Sequence, residues 1–176
     1  MITLLQIGRC SAQIRTFRID SEGSNLSFSV THLGFLTVDG VFSEFSGSCI
    51  TEGNDLQSVE GTVRVGSIDT NDESRDEALK SEAYLDEDSY PFISFASTDI
   101  GNGANSSILT GVLKLKDVEK EIRIPFEFGL TENNRQCLLK VSTSIKRSDF
   151  NLDFGAMDAL VGDEVKVEME VVATLD

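Results

Sequence analysis

The chain has 176 residues, 40% of them apolar and 26% charged, which suits one globular domain able to bury a core without disulfides or metals. Its 30 acids and 15 bases leave a formal charge of −15. This excludes a nucleic-acid partner, which needs Lys and Arg gathered on one face, and argues against docking on an anionic membrane.

Residues 1–15 read as a separate N-terminal segment, a signal remnant or an extra strand, ahead of a domain over residues 16–176. Met1-Ile-Thr-Leu-Leu-Gln-Ile7 lacks the basic start and long apolar run of a secretory signal. From residue 26 onward the dominant pattern is alternation of period two, which puts every second side chain on one face of a strand. Leu26 to Thr31, Val59 to Val65, Ile122 to Phe128 and Val165 to Val171 alternate without a fault. Val38 to Ile50, Ile93 to Thr98, Leu109 to Leu115 and Leu139 to Ile145 alternate less cleanly. The turn-rich stretches Glu22–Asn25, Gly101–Ser107 and Thr131–Asn134 separate these runs, giving about eight strands. A short helix is expected over about 72–85, capped by Asn71 or Asp72, with acids in its first turn favouring the helix dipole. A helical turn is expected near 156–161. Pro125 has no N–H to donate, so it belongs at a rim, a bulge or an edge.

No stretch approaches the ~20 apolar residues of a membrane-spanning helix, so stable membrane insertion is not expected. Cys10, Cys49 and Cys137 show no metal-binding spacing, so no metal or cofactor is expected. Cys49 and Cys137 can pair if their strands are neighbours; otherwise they serve as small buried hydrophobes.

Strands with one apolar face hide it by closing into a barrel or by packing as a sandwich, and periodicity leaves both open. Strand parity turns Phe28, Val30, Phe42, Val63, Val65, Phe95, Leu113, Leu115, Phe126, Val141, Ile145 and Val167 inward. Eleven Phe, two Tyr and no Trp make an interior rich in hydrocarbon and poor in donors, fit for an apolar ligand.

Ser67-Ile-Asp-Thr-Asn-Asp72, Arg75-Asp-Glu-Ala-Leu-Lys-Ser81 and Tyr90-Pro-Phe-Ile-Ser-Phe-Ala-Ser-Thr98 closely resemble the signature of the YceI-like family. Phe28-Ser-Val-Thr-His32, Val38 to Gly47, Leu109 to Leu113, Arg147-Ser-Asp-Phe150 and Val161-Gly-Asp-Glu-Val165 match further family elements in order. The resemblance covers residues 16–176. It implies an all-β fold: an extended, eight-stranded antiparallel lipocalin-like barrel with one short helix. It further implies binding, storage or transport of a polyprenyl or quinone-type isoprenoid in the lumen, a periplasmic or secreted location, and no enzymatic activity. Two positions depart from the pattern: Ala78 stands where the family usually has His, and Asn151 where it usually has Gly.

His32, Asp69, Arg75, Arg147 and Asp149 are candidates for the rim or for a lipid head group. As a general base His32 would need a carboxylate such as Asp69 or Asp149 within hydrogen-bond reach; a structural or head-group role is the simpler reading. Arg75 and Leu79, four apart, share a helix face, so Leu79 can plug the core while Arg75 reaches a carboxylate. Arg147 can offer a donor fork to a phosphate or quinone oxygen, or be neutralised by Asp149. Other readings kept in view are an interaction protein beside a membrane quinone enzyme, in a stress or redox pathway, and an enzyme acting on an apolar substrate. Pairing of exposed barrel rims into a homodimer stays open.

Overall fold

The computed structural model describes residues 13–102 and 107–176. Alternating runs become strands β1 (Ile14–Asp20), β2 (Asn25–His32), β3 (Leu36–Phe42), β4 (Phe45–Glu52), β5 (Asp55–Arg64) and β6 (Ile68–Asp69). Helix α1 (Glu73–Lys80) follows, then β7 (Phe92–Asn102), β8 (Ser107–Leu115), β9 (Val118–Leu130), β10 (Gln136–Lys146) and β11 (Val161–Leu175). All pair antiparallel in one sheet, and β1 pairs with β11 to close it. Three staves of the barrel are each two strands end to end. β1–β2 runs against β11, β3–β4 against β1–β2, and β5–β6 against β4–β3. Eleven strands therefore make a closed barrel of eight staves. The expected single run from Val38 to Ile50 is such a stave, interrupted at Ser43–Glu44.

The first stave begins at Ile14, so part of the N-terminal segment is barrel wall; residues 1–12, with Cys10, lie outside the described residues. Close approach of rings to backbone requires glycine at two wall positions. A Cβ on Gly40 would sit 2.4 Å from the Phe28 ring, and one on Gly111 would sit 2.4 Å from the Phe95 ring. The β9–β10 ladder ends at Phe126↔Val141, immediately beside Pro125, which cannot donate to a continuing ladder. Beyond it β9 and β10 splay apart. Phe150, 2% exposed, packs in one cluster with Val118 and Ile145 from the two sides of that gap.

Helix α1 is shorter than expected. Asp72 caps it, its carboxylate accepting from the Arg75 amide at 3.0 Å, but the helix stops at Lys80. Ser81 turns its amide and hydroxyl back onto the Ala78 carbonyl, and the chain folds so that Leu85 N–H reaches Leu79 O at 3.0 Å. Leu79 and Leu85 both join the upper core cluster. Residues six apart on a continuous helix would diverge by roughly 120°, so the turn is what brings them together. The expected helical turn is a 3-10 segment, Gly155–Leu160.

Two apolar clusters divide the interior. The lower one, at the β1 end, includes Phe17, Leu109, Phe126, Leu139 and Val171. The upper one gathers Val65, Ile68, Leu85, Leu115 and Phe150 near α1.

Candidate functional site

Between the two clusters lies a cavity of about 440 Å³. Side-chain exposure traces it along each stave. On β11, Val165, Val167 and Met169 face inward yet stay half-exposed, whereas Val171 and Ala173 below them are buried at 1%. The half-exposed residues border open space in the cavity, while buried ones such as Leu139 and Val171 pack into the lower cluster and close its floor.

Of the residues assigned inward by parity, Phe28, Val30, Phe42, Val63, Phe95, Leu113, Leu115, Val141, Ile145 and Val167 line the cavity. Val65 and Phe126 do not. Val65 opens the 3-10 turn Val65–Ser67, which breaks the strand's alternation and turns it into the upper cluster. Phe126 faces inward but sits deep in the lower plug. Ile93, Ile122, Thr143 and Met169 also line the cavity, and their parity, shared with residues already assigned, was the signal for them. Tyr84, Phe150, Leu152 and Phe154 line the mouth from segments outside the strands. The Tyr84 and Phe154 rings stack at 4.7 Å. No periodicity marks such residues.

The signature motif builds the helix's anchorage. Thr70, 3% exposed, gives its amide (3.0 Å) and hydroxyl (2.6 Å) to the Asp76 carboxylate. Arg75 donates to the Thr70 hydroxyl and carbonyl, each at 2.8 Å. Arg75 thus reaches Thr70 and not a carboxylate, correcting the expected ion pair; the carboxylate of Asp76 is taken by the threonine it also binds. Asp69 accepts from the Asn71 amide at 2.8 Å in a tight Asx turn. It is exposed and absent from the cavity wall. Arg75, Ala78 and Leu79 face the cavity from α1, so the departure from the family's usual His falls on the wall itself.

Arg147, 6% exposed, also borders the cavity, but its donors are engaged. Nε donates to Gly162 O at 3.0 Å, Nη1 to Leu152 O at 2.8 Å and to Asp158 Oδ1 at 2.5 Å, and Nη2 to Val161 O at 2.9 Å. Its guanidinium stacks on Phe154, 4.9 Å from the ring centre. The counter-ion is therefore Asp158 and not Asp149, which instead pairs with Lys120 at 3.0 Å across the splayed strands. Arg147 holds the Asp158 carboxyl below its usual range. Asp163 accepts from the Ser148 amide and hydroxyl, which likewise lowers its carboxyl. These bonds clasp the two closing motifs together. Asn151 caps the turn at φ 55°, a left-handed conformation that asparagine tolerates better than most residues, so it replaces the usual glycine without losing the turn.

His32 ends β2 and lines the cavity; neither Asp69 nor Asp149 bonds to it, and both carboxylates are engaged elsewhere. Cys49 and Cys137 meet at 3.3 Å as free thiols. They do so across the barrel's lower interior, since β1 and β11 lie between β4 and β10 in the wall; both are free and buried, in the role of small buried hydrophobes. The hydrogen-bonded Cys137 thiol and burial push the Cys49 thiol up. Among the described residues no His, Cys, Asp and Glu cluster is arranged for a metal, and no helix is long and apolar enough to cross a membrane.

The profile of the YceI-like domain matches residues 17–173. A UPF0312 protein of Photorhabdus laumondii is 32% identical over 155 residues, covering 84% of this chain and 81% of that protein. The crystal structure of Burkholderia cenocepacia BcnA superposes with a TM-score of 0.79 at 25% identity, over 89% of this chain and 99% of that one. A polyisoprenoid binding domain from Saccharophagus degradans, implicated in plant cell wall breakdown, shares the fold with a TM-score of 0.73 at 14% identity, over 93% of this chain and 100% of that one. With a profile match over nearly the whole barrel and a relative of this identity and coverage, the chain belongs to the YceI-like family.

Proposed function

We propose that the lumen binds a long apolar isoprenoid lipid, a polyprenyl or quinone-type chain, and that the protein stores or carries it without catalysing a reaction. One observation carries this reading: the cavity is walled almost entirely by hydrocarbon, with Arg75, His32 and Arg147 among its few polar lining residues. Each buried isoprene unit contributes on the order of 4 kcal/mol, at about 0.8 kcal/mol per carbon. A few units therefore offset the cost of ordering a flexible chain. With the Arg147 donors spent on the protein and two Arg75 donors on Thr70, we assign His32 and the remaining Arg75 donors to a head group. The polyisoprenoid-binding relative of the same fold supports this ligand class. The absence of a carboxylate bonded to His32 among the described residues favours carriage over acid–base chemistry. On this reading the carrier works in the periplasm or outside the cell, the location the family resemblance implies.

The test is organic extraction of the purified protein followed by mass spectrometry, with a parallel titration using dispersed polyprenol. A long prenyl species in the extract, or saturable uptake of added polyprenol, is the expected result. A protein that yields no prenyl lipid and takes up none refutes the proposal.

A further inference from the structure

The β2–β3 hairpin ends in Leu33-Gly34-Phe35-Leu36, a sequence poor in the polar residues that usually occupy a turn. Leu33 is 43% exposed, Phe35 79% and Leu36 46%. Leu33 holds a left-handed φ of 54°, which leucine rarely adopts. In that conformation its amide donates to the Leu160 carbonyl at 2.7 Å. This links the tip to the 3-10 segment Gly155–Leu160, whose Leu160 is 37% exposed. At the base of the tip His32 pairs with Val161, and both line the cavity. The exposed hydrocarbon of the tip is thus continuous with the cavity mouth, and contiguous apolar surface of this kind marks a contact site.

Charge narrows the partner. From Val30 to Val38 the hairpin carries no Asp, Glu, Lys or Arg, on a chain of formal charge −15. The acids beside α1 are set back, since Asp69 pairs with Val41, five residues or ~17 Å of strand below Leu36. Asp39 lies three residues or ~10 Å of strand below Leu36, and Asp158, near Leu160, is paired with Arg147. The tip can therefore enter an uncharged apolar phase without burying an unpaired carboxylate, whereas an anionic surface repels the molecule as a whole. The four side chains expose roughly 400 Å², taking each at about 200 Å² when fully free, half of the ~800 Å² per partner typical of a stable dimer.

We propose that the β2–β3 hairpin tip, with Leu160 beside it, docks the barrel mouth on a zwitterionic lipid bilayer, seating Phe35 and its leucine neighbours at the boundary between head groups and acyl chains. The inference rests on the reading of the lumen as a lipid site. A polyisoprenoid is dissolved in a bilayer and not in water, and a mouth held against the bilayer lets the chain pass between them without crossing water.

The experiment compares the wild-type chain with a Leu33→Asn, Phe35→Ser double variant. Asparagine suits the left-handed position, and Phe35 is too exposed to support the core, so the variant keeps its fold. Flotation with phosphatidylcholine vesicles should recover the wild type and lose the variant by about tenfold, and admixed phosphatidylglycerol should weaken wild-type flotation. Transfer of polyprenol out of those vesicles should slow by about tenfold, while binding of polyprenol dispersed without vesicles stays unchanged. Absence of wild-type flotation, or equal flotation of the variant, overturns docking; a dimer abolished by the variant, with no effect on flotation, assigns the tip to a second copy and also overturns it. Failure of dispersed polyprenol to bind a chain that still floats refutes the lumen reading and leaves docking standing.

Discussion

Val167→Trp separates an open lumen from a filled core. Val167 faces the cavity from the middle of β11, half-exposed, while Val171 below it is buried in the lower cluster at the cavity floor. An indole forced into a packed interior costs typically about 1–3 kcal/mol, which lowers the melting temperature by roughly 2–4 °C per kcal/mol for a chain of this size. In the cavity the indole instead finds room and apolar neighbours, so the melting temperature should hold or rise. The ligand should suffer, because an indole in place of an isopropyl group adds more heavy atoms than one isoprene unit contains. Displacing a single unit removes about 4 kcal/mol of burial, on the order of a thousandfold in affinity. The native chain has no tryptophan, so the variant's fluorescence reports the lumen alone: blue-shifted emission and a circular-dichroism melt at or above wild type are expected, with polyprenol binding lost. A melt lowered by several degrees with polyprenol affinity unchanged would refute both the open cavity and its role.

Leu139→Ala is the complementary change. Leu139 is 1% exposed in the lower plug, and its truncation should cost about 2–5 kcal/mol in urea unfolding; a loss under 1 kcal/mol would show that the plug is not tightly packed. Arg147→Met should cost about 3 kcal/mol by stripping the carbonyls of Leu152, Val161 and Gly162 of their donor. Asp158→Asn should cost less, because those carbonyls keep their bonds, and equal losses would refute this division. The Asp158 carboxyl, lowered by Arg147, adds stability that is present above its ordinary value of 3.8 and lost as the pH falls through its depressed value. For the raised Cys49 thiol the sign reverses. The folded chain holds this proton more tightly than the unfolded one, so its stabilising effect is full below the ordinary thiol value of 9.0. It falls above that value, where the unfolded chain gives up the proton that the folded chain keeps. Unfolding curves of the wild type and a Cys49→Ala, Cys137→Ala variant should diverge over that window, and parallel curves would contradict the shift.

Period-two alternation by itself determined which side chains turn inward on the long strands, because the face of a pleated strand follows from local geometry. Capping at Asp72 and the edge placement of Pro125 were legible for the same reason: each depends on a residue's own donors and acceptors. Depth along the barrel axis was not legible. Val141 and Ile145 share parity and both line the cavity, yet Val141 is buried at 7% and Ile145 keeps its exposure, since Val141 also packs into the lower cluster. The same distinction removed Phe126 from the lumen and kept Val167 in it. Nor could spacing reveal that Cys49 and Cys137 meet across the interior, that Arg147 takes Asp158, or that Tyr84 and Phe154 stack at the mouth. Those pairings depend on how eight staves close around a common axis, and closure is a property of the whole sheet.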